Sequence, residues 1–486
     1  MSDSSHQGNA CGPQEVLQSG VAGLDVVLGG GLPTGGLYLL QGLAGSGKTT
    51  LACQMGFSQA RQGRKVLILT LLGESHAKML KHFSSFSFFD KGLVGEQMVF
   101  LSAYASIKKG LRDLLKFIVE AMATQAPHLL IIDGFRSIRN GDATDLALAE
   151  FMHSLNSLVS SMDCTTLLLS PVEGNVTDNE NTLVDGVIEL SQLNRGMAVI
   201  RELQIFKIRG ANHMLGKHVF DVRRDGLVVY PRFEAIAAHS QPAAAEAGRK
   251  SVGVRSWDQR IGGGVVAGSI TCLLGSPGVG KTLMGLHFIN EGLKNGEPCL
   301  IVGFHESPQT LVQKARGIGI ELASHVASGR LQMMWQLPLE ILVDDLASRM
   351  LGAIHEHKVS RLLIDGVEGI GKLVMHPERS ESFLVALTNQ LRVDGVTAYI
   401  TEQLHYFRRL APAAEPSSSS LYENIMLLEY FTVGDTNHRQ VSVMKLREND
   451  YDGANRIFTI SSDGMIVGDV SSSITGTRQK AGCNVD

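Results

Sequence analysis

Two glycine-rich stretches, "GLAGSGKTT" from Gly42 and "GSPGVGKTL" from Gly275, carry the residue pattern best suited to chemistry. Both fit G-x-x-x-x-G-K-[ST] in full. The backbone N–H groups of such a loop, with the N-terminus of the helix behind it, form a cradle for anions. The expected nucleotide-binding residues are Gly42, Gly45, Ser46, Gly47, Lys48, Thr49 and Thr50 in the first stretch. In the second they are Gly275, Gly278, Val279, Gly280, Lys281, Thr282 and Leu283. Lys48 and Lys281 are placed to reach β- and γ-phosphates, and Thr49 and Thr282 to offer a hydroxyl to Mg²⁺. ATP and Mg²⁺ are therefore the expected cofactors.

Three further kinds of residue recur. Asp133 and Asp365 each end a short apolar run, "HLLIID" and "RLLID". A carboxylate there needs a partner, and Mg²⁺ with its waters is the natural one. A helix N-cap is the bland alternative, since Gly134 and Gly366 follow. Glu74 and Glu306 follow the apolar runs "KVLILTLLG" and "PCLIVGFH", where a carboxylate can polarise a nucleophile for attack on a γ-phosphate, or cap a helix. Lys207 and Arg209 in "FKIRGANH", and Lys445 and Arg447 in "MKLREND", pair cations at alternate positions on a strand. Such pairs can clamp a phosphate held by an adjacent subunit, or lie on a solvated face.

The spacing of these landmarks shows that the chain is written twice. Lys48 to Glu74 spans 26 residues and Lys281 to Glu306 spans 25. Lys48 to Asp133 is 85 and Lys281 to Asp365 is 84. Asp185 to Lys207 and Glu423 to Lys445 are both 22. One interval breaks the match: Asp133 to Asp185 is 52, whereas Asp365 to Glu423 is 58. The six extra residues fall in the interval that holds the serine run "EPSSSSLYEN".

The elements that must position these groups follow from patterning. Each loop sits between an apolar strand ("GLYLLQ", "SITCLL") and a helix-compatible segment. Each copy alternates short apolar strands with amphipathic helical stretches, the pattern of an α/β domain with a mainly parallel sheet flanked by helices. Each copy closes with alternating strands; the turn at Arg-Asp-Gly in "KHVFDVRRDGLVVYP" marks a C-terminal β-hairpin. The expected organisation is a first domain over 15–232, a linker over 233–252, a second domain over 253–470 and a disordered tail over 471–486.

Composition fits this outline. The chain has 486 residues, 44% of them apolar, with a net charge of −4, so cores can be buried and no global charge draws the chain to nucleic acid. The six cysteines are scattered, with no C-x-x-C, and read as reduced thiols. No apolar run approaches the ~20 residues of a membrane span, and the opening "MSDSSHQGNACGPQ" lacks the apolar core of a signal peptide. A cytoplasmic location is expected.

Over roughly residues 15–470 the chain resembles the KaiC family, the double-domain branch of the RecA-like P-loop NTPases that includes the cyanobacterial circadian clock protein. The doubled P-loops, "GLDVVLGGGLPTGG" and "FKIRGANHMLGKHVFDVRRDGLVVYP" carry the resemblance. It implies two tandem RecA-like domains, assembly with itself into a homohexamer, and ATP at subunit interfaces, with His213 joining Lys207 and Arg209 around the nucleotide. It implies an ATP hydrolase whose C-terminal domain is an autophosphorylating serine/threonine kinase. Matching the family's acceptor strand to "ENIMLLEY" puts Ser419 and Ser420 at the phosphoacceptor positions. Partners of the KaiB-like or response-regulator and histidine-kinase type are implied, and no membrane. The chain departs from the family where two adjacent glutamates are usual: Gly73-Glu74 and His305-Glu306 stand there. Either His305 acts as the base, since a neutral imidazole accepts protons, or phosphotransfer is weak. "KLRENDYDG" also lacks the Gly and His of "KIRGANH". The competing functions are a RecA- or DnaB-like motor on DNA, for which "HYFRRLAP" is the best local basic–aromatic stretch, and a nucleotide-gated scaffold with little turnover.

Overall fold

A computed structural model describes residues 15–71, 76–135, 145–171, 180–195, 198–237, 248–337, 342–374, 376–404, 421–433, 435–447 and 451–468. The chain forms two compact units, residues 1–232 and 233–486.

The first unit is organised by a nine-stranded sheet. From one edge the strands run Met98–Ser102, Val66–Thr70, Leu129–Asp133, Thr165–Ser170, Leu37–Gly42, Gly186–Arg195, Ala198–Ile208, Lys217–Arg223 and Gly226–Tyr230. The first six pair in parallel and the last three return antiparallel. Parallel strands buried on both faces need unbroken apolar runs, which "LLIID" and "VLILT" supply. Alternate residues serve opposite cores. Tyr38, Leu40, Ile68 and Ile131 pack with the helix Lys48–Arg61, and Leu37, Leu39, Leu69 and Ile132 pack with the helices Leu111–Gln125 and Asp145–Ser161. The hairpin closes at Arg223–Gly226, as the Arg-Asp-Gly signal requires.

The second unit repeats this order strand for strand: Leu331–Trp335, Cys299–Gly303, Arg361–Asp365, Thr397–Gln403, Ile270–Gly275, Asn424–Val433, Thr436–Leu446, Arg456–Ser461 and Gly464–Val467. A buried ion pair supports it. Arg361, 1% exposed, binds Glu297 at 3.0 Å, stacks on Phe288 and donates to the carbonyls of Ser251 and Phe288. Burial works against the Glu297 carboxylate, but hydrogen bonds from Arg361 and Lys250 outweigh it and hold the group at about 2.

The stretch 233–252 holds more than a tether. Phe233–Ala237 is a helix whose Phe233 and Ala237 enter the core beside Leu346 and Phe383. Arg379 binds Glu234 at 2.7 Å and Asp344 at 2.8 Å, and Asp344 accepts the Phe233 N–H. The sequence pattern around "EAIAAHSQPAAAEAG" gives no sign of this anchoring, because Asp344 and Arg379 lie more than a hundred residues downstream.

His287, on the helix behind the second P-loop, is buried beneath the closing hairpin, where Nε2 accepts the Met465 N–H at 3.1 Å. Burial, with Lys294 adding to it, lowers the imidazole to about 4. The unfolded ring takes up a proton near 6.5, so the stability from the neutral ring is full above that pH and is lost as pH falls toward 4. The wild-type second unit should lose about 3 kcal/mol of unfolding free energy across that window. His287→Gln should flatten the loss, read by denaturant unfolding at successive pH values; an unchanged slope would remove His287 as its source.

Candidate functional site

Each P-loop begins where a strand ends at a glycine that touches its neighbour. A Cβ on Gly42 would lie 2.2 Å from the Leu190 carbonyl oxygen, and one on Gly275 would lie 2.2 Å from that of Leu428. Gly45 and Gly47 have φ of 79° and 104°, and Gly278 and Gly280 have 72° and 124°. These left-handed turns let the chain curl into the N-terminus of the helices Lys48–Arg61 and Lys281–Lys294. The neighbouring strand also holds each loop from the side: Gln192 Nε2 donates to the Gly45 carbonyl at 3.2 Å, and the Tyr430 hydroxyl donates to that of Gly278 at 2.7 Å.

The lysines close over their own loops. Lys48 Nζ donates to the carbonyls of Gly42 and Leu43 at 2.6 and 2.8 Å. Lys281 Nζ donates to those of Gly275 and Ser276 at 2.8 and 2.9 Å. Burial lowers both ammonium groups; Asp133 works against this at Lys48, and Glu368 and then Asp365 at Lys281. The next residue bridges to the sheet. Thr49 Oγ1 donates to Asp133 Oδ2 at 3.0 Å, and Thr282 Oγ1 donates to Asp365 Oδ1 at 3.0 Å. Asp365 also accepts from Thr401 Oγ1 at 2.8 Å. Burial raises the Asp365 carboxyl, hydrogen bonds from Thr401 and Thr282 oppose this, and Glu306 adds to it. Asp365 caps no helix: Gly366 turns at φ 90°, and Val367 precedes the helix Glu368–Leu373.

The residues expected to act as bases part company. Glu74 lies outside the described residues. Glu306 is not a helix cap, since Ser307 fills that position for Pro308–Arg316. Its Oε1 is ion-paired with Lys314 on that helix, and its Oε2 is buried without a hydrogen bond. His305 is exposed and rests against Gly366, 3.1 Å from where a Cβ there would be. Ser419, Ser420 and "HYFRRLAP" lie outside the described residues.

The cation pairs sit toward the far end of the sheet from their own P-loops. Lys207 pairs across from Val187, which is level with Leu39. Arg209 follows the strand end and binds Asp185 at 3.4 Å, and Asp185 accepts the N–H of Leu37 at the head of the P-loop strand. Leu37 and Gly42 are five residues apart, about 17 Å along a strand. Lys445 pairs across from Ile425, level with Cys272, and Arg447 follows the strand end. Glu423 repeats the role of Asp185 by accepting the Ile270 N–H at 3.0 Å. Burial, and then the adjacent arginine, lower both Lys207 and Lys445. His213 is half-buried, with neither ring nitrogen hydrogen-bonded.

Sequence reasoning missed Thr401, Glu368, Lys314, Gln192 and Tyr430. None belongs to a short motif, and each joins the site only through pairing across the sheet or from a following helix. Tyr430 had one available signal: it lies in the strand "ENIMLLEY", whose register the repeat spacing sets.

Two P-loops of this build, each at the C-terminal end of a central parallel strand, make the chain a tandem RecA-like nucleotide-binding protein. The family model described as "ATPase: KaiC" matches residues 17–234 and 251–472, and the chain belongs to that family. It is 26% identical over 481 residues to the circadian clock oscillator protein KaiC of Picosynechococcus sp., covering 96% of this chain and 92% of that one. It is 25% identical over 477 residues to the circadian clock protein KaiC3 of Synechocystis sp., covering 95% and 93%. Among the described residues no helix is long and apolar enough to cross a membrane.

The glycine contacts give a direct expectation. Gly42→Ala and Gly275→Ala should each weaken binding of a fluorescent ATP analogue at the altered unit by about tenfold or more, because a methyl group must displace a neighbouring backbone carbonyl. Titration of each variant in a chain whose other P-loop lysine is replaced by alanine reads one unit at a time. Unchanged affinity would mean that the loop tolerates the shift.

Proposed function

We propose that this chain is an Mg²⁺-dependent ATPase that assembles with copies of itself, with serine autokinase activity in its second unit, and acts as a signalling or timing component. The observation that carries the ATPase reading is the pair of Thr–Asp contacts at the P-loop helices, Thr49–Asp133 and Thr282–Asp365, each at 3.0 Å. Hydroxyl and carboxylate oxygens are the hard donors that Mg²⁺ takes, so these residues fit the ion. When bound, Mg²⁺ neutralises phosphate charge. The chain's own part is to cradle the phosphates on the loop N–H groups, move Lys48 or Lys281 from loop carbonyls to phosphate oxygens, and orient the attacking oxygen. Glu74 and Glu306 are the proposed acidic groups for that orientation, with His305 beside Glu306.

Self-assembly is supported by where the cations stand. Arg209 lies by the head of its own P-loop strand, too far to touch phosphate held at Gly42, and Arg447 is placed alike in the second unit. Lys207, Arg209 and His213, and Lys445 and Arg447, are therefore proposed to meet nucleotide held by a neighbouring copy, with a hexamer as the proposed closed ring. Ser419 and Ser420 are the proposed acceptors. Partners of the KaiB-like, response-regulator or histidine-kinase type are proposed from the relatives, which are circadian clock proteins.

Three measurements test this reading. After incubation with Mg·ATP, phosphosite mapping should find label on Ser419 or Ser420 that is missing from Lys281→Ala. Turnover in both units with no labelled serine would discard the kinase half. Native mass should show a hexamer in saturating ATP, and Arg209→Ala should lower first-unit turnover by about 10³-fold, as loss of an arginine finger does. A monomer with full turnover would discard the shared site.

A further inference from the structure

Glu368 and His305 both border Gly366 in the second unit. The position a Cβ would occupy on Gly366 lies 3.4 Å from His305 Nε2 and 3.6 Å from Glu368 Oε2, so both side chains use space that only glycine leaves open. Glu368 opens the helix Glu368–Leu373, and its Oε1 accepts the Gln403 N–H. Gln403 pairs with Gly275, where the P-loop begins, so the Glu368 carboxylate is tied level with the loop. Its charge acts on the Lys281 ammonium more strongly than that of Asp365 does. Glu306 is placed differently. Lys314 holds one of its oxygens in an ion pair. By spacing after the strand aspartate, Glu368 corresponds to Arg136, so the first unit has no carboxylate at this position of its sequence.

We propose that Glu368 accepts the proton of the oxygen nucleophile that attacks the γ-phosphate in the second unit. The proposal rests on reading the second unit as an ATPase. In the step, the O–H bond of water breaks and its proton passes to the Glu368 carboxylate. The oxygen forms the new bond to the γ-phosphorus, and the bond to the bridging oxygen breaks with its electrons remaining on ADP. The proton then leaves Glu368 for the released phosphate. In phosphotransfer a serine hydroxyl replaces water, and the proton then leaves Glu368 for solvent. Backbone tethering through Gln403 supplies the fixed geometry that a general base needs.

The test uses the full chain with Lys48→Ala, which confines turnover to the second unit. Glu368→Gln should lower kcat by about 10²-fold or more, while the Kd for fluorescent ADP stays within about threefold. Glu368→Asp should recover part of the rate, and Glu306→Gln should cost less than Glu368→Gln. Turnover within threefold of the parent in Glu368→Gln, or parallel loss of rate and ADP binding, would overturn the assignment alone. A Lys48→Ala parent that binds ADP but never hydrolyses ATP would overturn the ATPase reading of this unit and the assignment with it.

Discussion

Both halves are organised around a contact that leaves no room for a side chain. At Gly42 and Gly275 the neighbouring strand's carbonyl oxygen lies where a Cβ would be, 2.2 Å from it. That approach sets the P-loop strand against its parallel neighbour and fixes where the chain must leave the sheet. The left-handed glycines then turn it into the helix, and the threonine after the lysine reaches the aspartate that ends the next-but-one strand. The nine-strand order, the two apolar cores and the placement of the cation pairs at the opposite end all follow from strands being locked to this central one.

Around that shared frame the two units differ in polarity. In the first, the positions level with the loop carry Gln41 and Glu189, hydrogen-bonded at 2.9 Å; in the second, Leu274 and Leu427 pair there. Opposite the strand aspartate the first unit has Leu169 and the second has Thr401, which donates to Asp365. Gln192 and Tyr430 occupy one position and hold the same loop carbonyl with an amide and a phenol. The two units thus place polar groups differently about their loops, within an unchanged backbone plan.

Much of this plan was legible from local pattern. The P-loop match, the apolar strand runs, the hairpin turn and the equal spacing of Asp185–Lys207 and Glu423–Lys445 are carried by neighbouring residues or by repetition. The family model and the sheet order agree with the fold these imply. What the chain hides is long-range pairing. Lys314 binding Glu306 depends on how a helix is laid back on its strand end, and Glu368 meets Gln403 only because two strands lie side by side. The helix Phe233–Ala237 reads as linker because alanine-rich composition says nothing of Asp344 and Arg379. Glu74 and the serine run fall outside the described residues, so for them spacing and resemblance remain the basis.

Arg361 gives the second unit an order of assembly. Its partners Ser251, Phe288 and Glu297 all precede it in the chain. During synthesis from the N-terminus, the acidic and carbonyl receptacle is therefore complete before the guanidinium leaves the ribosome. The Arg361 charge therefore waits for no partner still to be made, although the strand's other neighbour, Thr397–Gln403, follows it in the chain.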